Sequence, residues 1–204
     1  QNGDVVVNVG DYASKRNIGD LSDGVDDVTV TVTGENTVTI SRVGGSAADS
    51  KTYKIGENGT LIINSGAGAD VVTVQCSTDV KAKFNIQING GEGNDKIDLT
   101  NVTFVDGYYA ILAGGAGNDT IIGSKGKDYI FGDEGYVVYK EDESTENTSE
   151  KSKTSKIVKT AEAYVDSGVA GNDQIFAGSG DDVVLGGGGA DFISGRSEEH
   201  TSEL

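Results

Sequence analysis

The chain has no proline, no methionine and no tryptophan, and only one cysteine (Cys76) and one histidine (His200) among its 204 residues. A single thiol cannot close an intrachain disulfide, so a disulfide-stapled scaffold is excluded while an extracellular home is not. Cys76 reads instead as a small buried apolar residue. Basic residues are scarce: 16 Lys and Arg stand against 33 Asp and Glu, a formal charge of −17. That excess argues against nucleic acid or an anionic membrane as partner and points to cations, calcium first. No run approaches the roughly 18 apolar residues of a transmembrane helix, and no basic-then-apolar leader opens the chain. Beginning at Gln1, it reads as an internal fragment of a longer protein, monomeric as such. Hydrophobic residues make up 35% and aromatics 6%, which disfavours a large isotropic core and favours strands that each bury one narrow apolar row.

What is abundant is glycine, 31 residues, and aspartate, 21 of the 33 acids. The pattern Gly-x-Gly-x-Asp is complete at Gly66/Gly68/Asp70, Gly91/Gly93/Asp95, Gly115/Gly117/Asp119, Gly178/Gly180/Asp182 and Gly187/Gly189/Asp191, against roughly 0.5 occurrences expected by chance from composition. The pattern is phased. GGAGNDTII opens at Gly114, GSKGKDYIF at Gly123 and a further block at Gly132, each nine residues on; GVAGNDQIF, AGSGDDVVL and GGGGADFIS then follow from Gly168, Ala177 and Gly186. Glycine permits a tight turn through positive φ and lets carbonyls converge without a Cβ in the way, and the sixth-position Asp adds a hard carboxylate oxygen. The eighth position holds Val72, Ile97, Ile121, Ile130, Ile175, Val184 and Ile193, β-branched throughout, as expected of short strands whose inward side chains stack in a row.

These blocks, with GGEGNDKID from Gly90, resemble the repeats-in-toxin (RTX) or haemolysin-type calcium-binding repeats, whose nonapeptide is G-G-x-G-x-D-x-U-x. The resemblance covers most of residues 90–195 and, more loosely, 61–74. It implies an all-β fold, a parallel β-roll in which two nonapeptides make an 18-residue coil and calcium sits between turns of repeats n and n+2. Calcium takes six to eight oxygens, more than one turn offers. The metal residues it implies are Asp119, Asp173, Asp191, Asp128, Asp182, Asp95 and Asp70, with Gly114, Gly117, Gly178, Gly180, Gly187 and Gly189 in the turns; about three to five Ca2+ ions would be held. Asp173 and Asp191, 18 residues apart, form the firmest pair; Asp128, whose turn holds Ser124 and Lys125, and Asp182, on the last open coil, are the weakest members. The bland reading of each Asp is a turn former, and the nine-residue phase is what favours metal ligation. Asp181 is expected to face solvent.

Spacing divides the chain. Residues 1–60 are a β-rich section of alternating Val, Thr and Ile, with Asp26 as a degenerate turn. In 61–113 the Asp residues recur at 25 and then 24 residues, which predicts wider, β-helix-like coils with one Gly/Asp turn each. In 114–195 the tighter roll follows, with Asp119, Asp173 and Asp191 on one edge and Asp128 and Asp182 on the other. Within it, 136–167 breaks the phase and reads as a hairpin inserted inside a single repeat, its tip carrying opposed acidic and basic blocks that contribute about 0 to 1 kcal/mol per exposed pair. The final nine residues, RSEEHTSEL, match the translation of a common sequencing adapter, so 196–204 is set aside as an artefact together with His200.

No HExxH, GxSxG or P-loop occurs, and Cys76 has no histidine partner for a thiolate mechanism. Paired carboxylates alone leave glycosidase or lyase chemistry open, but these carboxylates lie in turns that calcium would saturate. The expectation is therefore a non-enzymatic, calcium-binding segment that folds on calcium. The resemblance implies a secreted or bacterial cell-surface parent exported by type I secretion, with any catalytic domain elsewhere. The competing reading is an adhesin-like or carbohydrate-binding β-helix module with calcium only structural. Tyr108, Tyr109, Tyr129, Phe131, Phe176 and Phe192 would be its sugar platform, although scattered aromatics more often pack on ladders.

Overall fold

Two parallel sheets face each other because the chain winds through both once per coil. The computed structural model describes residues 3–8, 27–42, 50–141, 159–165 and 170–195, and every regular element among them is a strand. Asp26, the charged tip of the insertion, and the RSEEHTSEL tail with His200 lie outside the described residues.

The first coil comprises β1 (Val5–Asn8) and β2 (Asp27–Gly34), and β2 continues into an antiparallel extension, β3 (Thr37–Arg42) and β4 (Lys51–Lys54). The second coil is β5 (Thr60–Ala67) and β6 (Val71–Cys76), the third β7 (Asn85–Glu92) and β8 (Lys96–Asn101), and the fourth β9 (Tyr109–Ala116) and β10 (Thr120–Ile122). In the fifth, β11 (Lys127–Phe131) is separated from β14 (Gln174–Gly178) by the antiparallel pair β12 (Gly135–Glu141) and β13 (Lys159–Val165). The sixth is β15 (Val183–Leu185) and β16 (Phe192–Gly195). One sheet runs β1-β5-β7-β9-β11-β15 and the other β16-β14-β10-β8-β6-β2-β3-β4, with the coil strands parallel throughout. The N-terminal strands are thus part of the stack: Val5 pairs with Leu61 and Val28 with Val72.

Strict in-register pairing stacks like on like. In the first sheet the inward row is Val7, Ile63, Ile88, Leu112, Ile130 and Val184. In the second it is Val28, Val72, Ile97, Ile121, Ile175 and Ile193. Both rows bury their middle members completely, and full burial of such a side chain is worth about 1.5–3 kcal/mol. Ile193 is 48% exposed because it lies on the edge strand β16, with no described strand stacked beyond it.

The coils differ in width because of the return connection from the second sheet to the first. In the second and third coils that return is a loop, filled by Ala82, Phe84, Val102 and Phe104. From the fourth coil on it is a short Gly/Asp turn, and Phe104 packs against Gly126 where wide gives way to narrow. Cys76 corrects its expectation: it is half-buried at the margin of the core, its Sγ 3.7 Å from the Thr103 carbonyl oxygen. Tyr129 and Phe131 are buried beneath the insertion side of the roll, Tyr129 edge-on to Tyr109. They are packing residues, whereas Phe176 and Phe192 touch each other at the surface.

Candidate metal centre

Where the chain passes from the first sheet to the second, five coils carry turns of one construction. Asp70 N–H donates to Asp95 Oδ1 and Asp95 N–H to Asp119 Oδ1, both at 2.8 Å. Asp119 N–H then donates to Asp173 Oδ1 at 2.8 Å and Asp173 N–H to Asp191 Oδ1 at 3.0 Å. The backbone carbonyls of Asp70, Asp95, Asp119 and Asp173 accept from Lys96, Thr120, Gln174 and Phe192, so each aspartate is fastened to the coil that follows by two bonds. On the solvent side an asparagine ladder runs with opposite polarity: Asn118 N–H donates to Asn94 Oδ1, Asn172 N–H to Asn118 Oδ1 and Ala190 N–H to Asn172 Oδ1, each at 2.8 Å.

The second carboxylate oxygen is left over. Oδ2 of Asp95, Asp119 and Asp173 is buried and accepts no hydrogen bond from any described residue. Each lies against the bare Cα of the glycine that opens its own nonapeptide, beside a carbonyl from the next coil: Asp95 Oδ2 and Gly114 O at Gly90, Asp119 Oδ2 and Gly132 O at Gly114, Asp173 Oδ2 and Gly186 O at Gly132. A Cβ on any of these three glycines would overlap both oxygens. Two acceptors side by side in a buried gap are tolerated if a proton or a cation stands between them. Close stacking of the turns also depends on glycine at the fourth position. Gly117 has φ 130° and its Cα rests on the Gly93 carbonyl oxygen, as Gly189 rests on Gly171.

Gly132 answers for Asp173 as Gly114 does for Asp119. The insertion is therefore spliced inside one nonapeptide, with Gly132 and Asp133 before it and Gly171, Asn172 and Asp173 after it.

Burial raises the carboxyl pKa values. Asp95 is pushed up to about 6 and Asp119 to about 7, desolvation being the main cause; the hydrogen bond from the preceding coil's backbone opposes it and neighbouring Asp charges add to it. Asp173 is raised for the same reason, with the charges of Asp191 and Asp133 adding. Two unit charges about 4 Å apart repel by roughly 4 kcal/mol at an effective dielectric near 20, so a column of ionised carboxylates needs a counter-charge.

The opposite edge has two such turns. Asp128 N–H donates to Asp182 Oδ1 at 3.0 Å, repeating the step, and Gly178 and Gly180 turn through φ 93° and 140°. Asp128 differs in that its own carboxylate is already served: the Ser124 N–H reaches Oδ2 at 2.6 Å and the Ser124 hydroxyl lies 2.9 Å from both oxygens. Asp128 is nevertheless raised to about 7, chiefly by burial. Asp182 is half-buried and raised, while Asp181 beside it is exposed.

The structure thus brings Asp70, Asp95, Asp119, Asp173 and Asp191 into one column and Asp128 and Asp182 into another, with Gly114, Gly117, Gly187 and Gly189 in the first set of turns. Sequence reading missed Asp133, which is buried between Gly171 and Gly188 and hydrogen-bonded to both. Its signal was present as the second residue of the nonapeptide begun at Gly132. Among the described residues no three carboxylate, imidazole or thiol groups converge on one point. A cation in these gaps would therefore draw most of its ligands from backbone carbonyls, the hard oxygen donors that suit calcium.

The RTX calcium-binding nonapeptide repeat family matches in four copies, over residues 87–100, 111–137 and 167–197. The chain carries RTX repeats. The matched segments include the Asp95, Asp119, Asp128, Asp173, Asp182 and Asp191 turns and both ends of the spliced repeat. No curated protein and no solved structure matches the chain. RTX repeats bind calcium and are a non-catalytic region; the orphaned Oδ2 atoms beside glycine carbonyls are hard oxygen donors of the kind that ion takes.

Proposed function

We propose that this segment is a calcium-actuated folding unit of a secreted or cell-surface bacterial protein, such as a toxin, an adhesin or an exoenzyme. The observation that carries the reading is the set of three buried carboxylate oxygens, on Asp95, Asp119 and Asp173, each left without a donor beside a glycine carbonyl. Asp70, Asp95, Asp119, Asp173 and Asp191 supply carboxylates along one edge and Asp128 and Asp182 along the other. The five gaps between successive carboxylates are consistent with three to five ions.

With a charge of −17, the chain resists compaction where calcium is scarce and closes its coils where calcium is plentiful. Affinities near 10⁻⁴ to 10⁻³ M, usual for extracellular modules, suit a switch between the inside and the outside of a cell. Export by type I secretion as an unfolded chain fits that behaviour. No helix among the described residues is long and apolar enough to cross a membrane.

Isothermal titration calorimetry of the full chain tests the reading. Three to five calcium ions per chain are expected, with magnesium unable to replace them and with fewer bound after Asp173→Ala and Asp191→Ala. Equal heats for the two metals, or none for calcium, would refute it.

A further inference from the structure

The spliced repeat breaks the pattern of the other turns at one residue. At the second position the intact turns of this edge hold Gly66, Gly91, Gly115 and Gly187, all at positive φ between 99° and 107°. The spliced turn holds Asp133 there, without a positive φ, and from this residue the chain departs toward the β12–β13 pair.

Asp133 does not face solvent. It is 3% exposed, and its carboxylate is inserted beneath the following coil, where Oδ2 lies against the Cα of Gly187. Oδ1 accepts the N–H of Gly171 at 3.0 Å, the residue at which the repeat resumes, and Oδ2 accepts the N–H of Gly188 at 2.7 Å. One side chain thus ties together the point where the repeat is interrupted, the point where it resumes and the next coil. A carboxylate offers about four lone-pair sites, and these two bonds use two of them.

The neighbouring residue, Gly132, is the one whose Cα faces Asp173 Oδ2 and the Gly186 carbonyl. The gap between the Gly132/Asp173 turn and the Gly186/Asp191 turn therefore contains a buried carboxylate oxygen with no donor, a carbonyl, and a second buried carboxylate with spare lone pairs. The two gaps before it each show a single orphaned carboxylate oxygen, from Asp95 and from Asp119, beside its carbonyl.

We propose that Asp133 is a second carboxylate ligand in the gap between the Asp173 and Asp191 turns, which makes this the tightest divalent-cation site of the roll. Ligand charge is one of the main determinants of calcium affinity in oxygen sites, so one added carboxylate distinguishes this gap from the others. The proposal rests on the calcium reading above and goes beyond it, because the nonapeptide has glycine, not a ligand side chain, at this position.

The full chain is titrated with calcium alone by calorimetry, as the unaltered sequence and as Asp133→Asn, Asp133→Gly and Asp106→Asn. Asp133→Gly restores the motif's own glycine and is the sharpest variant. If Asp133 were only an irregularity of the splice, Asp133→Gly would bind as well as or better than the unaltered chain. The expected result is a weakening of the tightest event by at least tenfold in both Asp133 variants, with that event preserved in Asp106→Asn, a change at an exposed acid outside the Gly/Asp turns. Should the variants fail to fold, a calcium-bound crystal structure of the unaltered chain decides the point. An Asp133 oxygen about 2.3–2.6 Å from an ion supports the assignment, and one that keeps only its bonds to Gly171 and Gly188 overturns it. An unaltered chain that binds calcium while both variants match it refutes this proposal alone; an unaltered chain that binds none removes the calcium reading as well.

Discussion

At the scale of single residues, the chemistry is that of carboxylates placed where they are uncomfortable. Asp95, Asp119 and Asp128 have folded-state pKa values of about 6 to 7 against an ordinary 3.8, mainly through burial. The folded, metal-free chain therefore binds protons that the unfolded chain has released. The resulting stabilisation is complete below about pH 4 and is lost as pH rises through 6 to 7. Far-UV circular dichroism in chelator is expected to show more β structure at pH 5, where these carboxyls are protonated, than at pH 8, where the metal-free chain stays coil. Calcium competes with these same protons, so its affinity should fall on acidification from pH 7.5 to 5.5; a pH-independent affinity would contradict the assignment.

Ser124 gives a second test at this scale. Ser124→Ala takes the hydroxyl from the buried Asp128 carboxylate and should cost about 1–3 kcal/mol, read as a lower urea midpoint with an unchanged slope. Five of the seven aspartate turns were legible in the nine-residue phase, and those of Asp70 and Asp95 in the Gly-x-Gly-x-Asp pattern that recurs at 25 and then 24 residues. Asp133 was not, because an acid at a glycine position looks like a flaw in the repeat until its carboxylate is seen bonded to Gly171 and Gly188.

At the scale of elements, stability comes from the two inward rows, and their members are unequal. Ile175 is fully buried between Ile121 and Ile193, whereas Ile193 has a neighbour on one side only among the described strands. Ile175→Ala should cost about 2–5 kcal/mol and Ile193→Ala less than about 1 kcal/mol, measured by urea denaturation at saturating calcium. The hairpin is a separable element by the same geometry. Deleting residues 134–169 leaves GDAGNDQIF, a complete nonapeptide that retains Asp133, and the shortened chain should fold on calcium with an unchanged midpoint. A chain that no longer folds would show that the β12–β13 pair is part of the roll's own support. The sequence carried the period of the roll well. It did not reveal that β1 and β2 belong to the same stack, because their partnership with β5 and β6 is written in alternating Val and Thr, a pattern common to any half-buried strand, and not in a Gly/Asp turn.

At the scale of the whole molecule, the proposed reading has the same acids that keep the chain apart assemble it once calcium is present. Excess negative charge opposes compaction, and the fold gathers that charge into two columns beside backbone carbonyls of the next coil, those of Gly114, Gly132 and Gly186 in one and of Ala177 in the other. On that reading folding and metal binding are one event, since the gaps exist only once successive coils have stacked. A soluble β-helix held by its apolar rows alone would have the same strands and would not need the metal.

The most direct measurement is far-UV circular dichroism of the full chain during calcium titration, with magnesium in parallel and the Asp173→Ala, Asp191→Ala double variant alongside. A transition from coil to β near millimolar calcium, absent with magnesium and shifted to higher calcium in the variant, is the predicted result. A β spectrum that neither calcium nor chelator alters would contradict calcium-driven folding.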